Sequence, residues 1–153
     1  MKIGADVPYC VMGGTALAEG IGEVLTALPP APDCILVVAK PDINVSTKYV
    51  YEHLDAMEGY AHPDIDGMVE AIKEGSLSGV VERLGNVLET VTVEAHPIID
   101  VIKQKMLELG AEGSLMSGSG PTVFGIFKSE EEAKTACEDL KQDYAQTFLA
   151  RSV

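Results

Sequence analysis

Residues 34–40 read CILVVAK, an apolar run with no polar side chain before its closing lysine. Side chains of a strand point alternately to its two faces, so a run that is apolar at every position requires cover on both. Seven residues are too few for a typical globular helix, and Pro41-Asp42 ends the run. Cys34–Lys40 is therefore expected to be a central strand buried on both faces.

Around that strand the punctuation alternates between sheet and helix. Residues 7–28 read as a hairpin or meander, with VPYCVMG and TALAEG as short β-prone runs joined by Gly13-Gly14 and PPAP (29–32) as a stiff connector. Ser46 is placed to cap a helix running through Tyr49 to Leu54, and Asp64 one through Ile65, Met68, Val69 and Ile72. Gly75-Ser76 interrupts, after which Leu77, Val80, Val81, Leu84, Val87, Leu88 and Val91 recur at helical spacing. Pro97 opens a further helix whose buried face is Ile98, Ile99, Ile102, Met106 and Leu109, and Gly110 ends it. Strands are expected at 113–116 and 122–127. Ser129 and Glu132 then form a capping box for a helix that turns Ala133, Ala136, Cys137 and Leu140 inward, and 145–152 is a last strand. Helices packed on one face of a mostly antiparallel sheet satisfy this order, so the fold class is α+β.

The 153 residues carry 11 Lys and Arg against 24 Asp and Glu, a formal net charge of −13. That balance argues against nucleic acid and anionic membrane as partners. A small phosphorylated ligand stays open, because backbone N–H groups and a metal ion can hold phosphate without lysines. No apolar run reaches the length of a membrane span, and MKIGADVPYC lacks the pattern of a secretory signal. Cys10, Cys34 and Cys137 form no C-x-x-C pair and stand in apolar surroundings, so buried reduced thiols and a cytoplasmic location are expected. His53, His62 and His96 are scattered and match no metal-ligand spacing, so no metal site is expected from them; His62 and His96 each precede a proline at a helix entry.

Three features are candidates for chemistry. Ser117-Gly118-Ser119-Gly120-Pro121 is neither a P-loop nor a G-x-S-x-G elbow. It reads as a tight turn into a strand, or as a loop whose glycines let a ligand approach while hydroxyls face it. Asp6, in GADVPY, reads as an Asx-turn or cap carboxylate, or as a general base beside a hydroxyl. Tyr49, Tyr51 and Tyr60 occur in a chain without Trp. Tyr49 and Tyr51, two apart on a helix, cannot share a face, so one is expected inside and the other free to stack on a base. Ordinary half-buried packing is the alternative.

The order of these segments says more than any one of them. GADVPY, AEGIGE, the K-P-x-x-x-V-S-T stretch of Lys40–Thr47, a long helical region and SGSGPTVFG together resemble the C-terminal part of the GHMP-type small-molecule kinases, the family of galactokinase, homoserine kinase and mevalonate kinase. The resemblance covers essentially the whole chain. SGSGPTVFG carries the superfamily only. GADVPY with AEGIGE narrows it to the branch whose acceptor is the 2-hydroxyl of diphosphocytidyl methylerythritol, on the methylerythritol phosphate route to isoprenoids.

The resemblance implies a ferredoxin-like C-terminal domain over 31–153, preceded by a remnant of the N-terminal domain over 1–30. It implies ATP and Mg2+ as cofactors of the full-length enzyme and Asp6 as the catalytic carboxylate. Thr47 and Tyr51 would line the cytidine pocket, with Tyr51 stacked on the base, and Ser117, Gly118, Ser119, Gly120 and Thr122 would form the phosphate-region motif. Family members are about twice as long as this chain. Their glycine-rich ATP loop and an N-terminal lysine lie ahead of the GADVP segment, and neither is present here. The 153 residues alone are thus expected to be a truncated form without kinase activity that binds ATP poorly. They are also expected to show an apolar face through which they could pair as a homodimer. A mevalonate- or homoserine-type kinase of the same family, a non-catalytic ferredoxin-like ligand-binding module and a structural oligomerisation domain are the competing readings.

Overall fold

A computed structural model describes residues 7–152. The first elements are a short helix, α1 (Val7–Met12), and a hairpin of β1 (Ala16–Glu19) and β2 (Val24–Ala27), paired antiparallel from Ala16↔Ala27 to Glu19↔Val24. A hairpin is present but not the expected one: its turn lies at residues 20–23 instead of Gly13-Gly14, and VPYCVM is helix and not strand. Pro8 falls in its first turn, where a missing N–H leaves no bond unmade, and Gly13 N–H closes the end on Tyr9 O at 2.8 Å. Among the described residues no buried position precedes Ile35.

From there the chain runs through β3 (Ile35–Lys40), α2 (Thr47–Asp55), α3 (Ile65–Lys73), α4 (Leu77–Glu82), α5 (Glu89–Ala95), α6 (Ile98–Glu108), β4 (Gly113–Met116), β5 (Val123–Phe127), α7 (Glu130–Asp143) and β6 (Gln146–Arg151). The four later strands form one sheet in the order β4-β5-β3-β6, with every neighbouring pair antiparallel. This is the ferredoxin-like β-α-β-β-α-β arrangement, with five helices in place of its first one. β3 is central, as CILVVAK requires, but its two faces are not equal. Ile35, Val37 and Ala39 are buried, whereas Leu36, Val38 and Lys40 are half-buried. The helices cover the first face, where Val37 packs in one cluster with Val50, Ile99, Ile102, Met106, Phe127, Ala136 and Leu140.

The helix starts follow their caps. Ser46 Oγ accepts from Tyr49 N–H (3.3 Å), Asp64 Oδ1 from Gly67 N–H (2.9 Å), Ser76 Oγ from Gly79 N–H (3.1 Å) and Ser129 Oγ from Glu132 N–H (3.3 Å). The run from Leu77 to Val91 is two helices instead of one. Asn86 Oδ1 accepts the Leu88 N–H at 3.0 Å, a local bond that replaces a helical one and breaks the run between α4 and α5. All three cysteines are free, but only Cys137 is buried; Cys34 is half-buried, and Cys10 is exposed on α1, which packs no residue into the core. Among the described residues no helix is long and apolar enough to cross a membrane.

Candidate functional site

The Ser117–Thr122 loop joins β4 to β5. Ser117 N–H donates to Thr122 O (2.8 Å) and Gly120 N–H to Ser117 O (3.0 Å), so the motif is a tight turn. Gly118 (φ +56°) and Gly120 (φ +84°) both take the left-handed backbone that other residues adopt at a cost. Their surroundings differ. A Cβ on Gly120 would come within 2.6 Å of Met116 Sδ, whereas one on Gly118 would meet nothing within 4 Å. The loop is therefore packed tightly beneath Gly120 and open above Gly118, which leaves room for a ligand to approach the backbone there.

Three side chains from α5 and the segment before it hold this loop. Asn86 Nδ2 donates to Met116 O (2.9 Å) and to Gly118 O (2.8 Å). Glu89 Oε1 accepts the Met116 N–H (2.7 Å), while its other oxygen pairs with Lys103 Nζ at 2.6 Å, both side chains being only 17% exposed. Thr92, fully buried, donates to Ser119 O at 3.3 Å. None of Asn86, Glu89, Thr92 and Lys103 stands out in the sequence, where they sit inside helical periodicity. The one local signal is Gly85-Asn86, a turn-prone pair within an apolar pattern.

The first residue of α2 also reaches the loop: Thr47 Oγ1 and Ser119 Oγ lie 2.9 Å apart in a hydrogen bond between residues 72 positions apart. Tyr49 and Tyr51 diverge along α2, but neither is packed inside, with 44% and 51% exposure. The expectation that one of them is buried fails because Val50 and Leu54 supply the helix's buried face. Tyr49 stacks on His53 with ring centroids 3.7 Å apart. The two line a groove of about 510 Å³ with Met57, Val91 and Glu94, and Tyr51 does not line it. Tyr60 packs against the core. Thr122 is half-buried and serves the loop through its carbonyl. Asp6 lies outside the described residues. Among the described residues no group of three or more His, Cys, Asp or Glu is placed to hold a metal ion.

Residues 68–146 match the family described as GHMP kinases C terminal. A 4-diphosphocytidyl-2-C-methyl-D-erythritol kinase of Lachnospira eligens is 59% identical over 138 residues, which are 90% of this chain and 48% of the relative. One of Lachnoclostridium phytofermentans is 54% identical over 153 residues, 99% of this chain and 53% of the relative. A crystal structure of 4-(cytidine 5'-diphospho)-2C-methyl-D-erythritol kinase matches with a TM-score of 0.81 and 30% identity, over 97% of this chain and 53% of that one. The chain spans about half the length of the curated relatives it matches.

Proposed function

The chain belongs to the GHMP kinases, whose C-terminal domain it carries, and on that premise we propose that it forms one half of an ATP-dependent cytoplasmic kinase. The enzyme transfers the γ-phosphoryl group of ATP to the 2-hydroxyl of diphosphocytidyl methylerythritol, on the methylerythritol phosphate route to isoprenoids. One observation carries this reading for the described residues: the bond between Thr47 Oγ1 and Ser119 Oγ joins the start of α2 to the glycine loop. A ligand lying along α2 thereby has its phosphate end beside the open face of Gly118.

Phosphoryl transfer asks a protein mainly for positioning and for stabilisation of a highly charged transition state. In this reading Tyr51, exposed on α2, stacks on cytosine, and Thr47 lines the same pocket. The backbone of Gly118 and Ser119, with the Ser117 hydroxyl, faces phosphate oxygens, and Asp6 takes or orients the acceptor proton. Mg2+, when bound, neutralises phosphate charge. Mg2+ is commonly held by one or two carboxylates and the substrate phosphates, which fits the absence of a group of three or more ligand side chains among the described residues. Residues 1–30 belong in this reading to the N-terminal domain and 31–153 to the C-terminal one, in keeping with Ile35 being the first buried position among the described residues.

The test joins this chain to the part of the Lachnospira eligens relative that it does not span and measures ADP release with Mg-ATP. Turnover is expected with diphosphocytidyl methylerythritol and not with mevalonate or homoserine. Asp6→Asn should lower kcat by about 10² to 10⁴. The 153-residue polypeptide by itself should release no ADP, since it spans only about half of each relative. Turnover with mevalonate or homoserine would leave the family and remove the role given to Tyr51.

A further inference from the structure

Asn86 is half-buried, lies in no helix, and engages both amide hydrogens and its oxygen. Its two Nδ2 hydrogens go to the carbonyls of Met116 and Gly118, and its Oδ1 accepts from Leu88 N–H. These partners fix which way the amide points, because only the NH2 group can face two carbonyls and only the oxygen can face an N–H.

The bond to Gly118 O sets a peptide plane. The Gly118–Ser119 peptide is trans, and across a trans peptide the C=O and N–H point in opposite directions. Holding the Gly118 carbonyl towards Asn86 therefore turns the Ser119 N–H the other way, to the exposed side of the loop. The flanking N–H groups of Ser117 and Gly120 are both used inside the turn. Those of Gly118 and Ser119 have no acceptor among the described residues. Two adjacent free N–H groups on a glycine loop form a concavity suited to an anion. Thr92 adds a second hold, on the Ser119 carbonyl.

We infer that Asn86 is a positioning residue: by holding the Gly118 carbonyl it aims the Ser119 N–H at an oxygen of the phosphoryl group in transfer. This rests on the kinase reading above and adds to it the residue that orients the loop. Asn86 touches no substrate; it acts through the backbone of Gly118 and Ser119.

The experiment uses the joined enzyme, whose own turnover with diphosphocytidyl methylerythritol checks the kinase reading first. Asn86→Asp keeps the volume and the acceptor for Leu88 N–H but sets a carboxylate against two carbonyls. Its kcat is expected to fall about 10²-fold, as when a transition-state donor is lost. KM for diphosphocytidyl methylerythritol should stay within about twofold, because its cytidine end is held elsewhere, on α2. Assay well below the thermal midpoint of each variant separates this from weakened folding, which leaves kcat per folded molecule unchanged. Asn86→Ala removes all three bonds and is read in the same way should the Asp variant not fold. A kcat within about threefold of the parent in a folded variant, or a loss carried wholly by KM, overturns the inference. A parent inactive on every acceptor removes the kinase reading, and the inference falls with it.

Discussion

Gly118 and Gly120 share a left-handed backbone within one loop, and substitution should nevertheless separate them. Alanine at either position meets the same conformational strain, about 1–2 kcal/mol. At Gly118 nothing else opposes it, since the added carbon enters open space. At Gly120 the carbon overlaps Met116 Sδ, and Met116 is itself buried. Overpacking of that kind adds about 1–3 kcal/mol. Urea unfolding should therefore rank Gly120→Ala clearly below Gly118→Ala, and equal midpoints or the reverse order would refute the packing argument. Of the two sequence readings of this motif, the tight turn is carried mostly by Gly120, and the open backbone by Gly118.

At the scale of elements, α5 and α6 meet the loop through one ion pair. Glu89 holds the Met116 N–H with one oxygen and Lys103 with the other. Glu89→Gln removes the charge and leaves the Lys103 ammonium poorly solvated, an expected loss of about 2 kcal/mol. Lys103→Met should cost less, because Glu89 keeps its bond to Met116. The double variant should be less destabilised than the sum of the singles, as expected for residues in direct contact. A strictly additive cycle would show that the two side chains do not act together. This network also marks where the sequence stops being readable. Ser46, Asp64 and Ser129 could be read as caps because each bonds an N–H three residues away, within the same few letters. Pro97 and Gly110 bound α6 for equally local reasons. The contacts that build the site are of another kind. Asn86 reaches 30 and 32 residues to its carbonyls, Thr92 reaches 27, and Thr47 reaches 72 to Ser119. No periodicity encodes them, since they exist only once the fold has brought α2, α5 and the segment before α5 against the end of β4 and the loop that follows it. VPYCVM misleads because strand pairing, like these contacts, is not written in the local letters: Val and Tyr favour strands, but a strand there needs a partner, and β1 pairs with β2 instead.

For the whole molecule, the unusual feature is where its apolar surface lies. Val7, Tyr9, Val11, Met12, Ile21 and Val24 are all exposed, and all belong to α1, the hairpin and its turn, which add nothing to the core. Val11 is 83% exposed and Ile21 74%. Apolar side chains left exposed along a segment that buries none of them favour association with another surface. The net charge of −13 opposes self-association, because two copies repel until salt screens them. The two effects make a combined prediction for the 153-residue polypeptide. Sedimentation equilibrium should show dimers at high protein concentration, and the dimer fraction should grow as ionic strength rises from about 0.05 to 0.5 M. Val11→Lys with Ile21→Lys should return the chain to monomer while leaving its thermal midpoint within a few degrees, since neither side chain supports the sheet. A second apolar pair, Phe148 and Leu149, is exposed on the edge strand β6 and is the competing contact. Dimers that survive the lysine substitutions would assign association to β6, and a monomer at all concentrations and salts would show that charge repulsion outweighs both apolar surfaces.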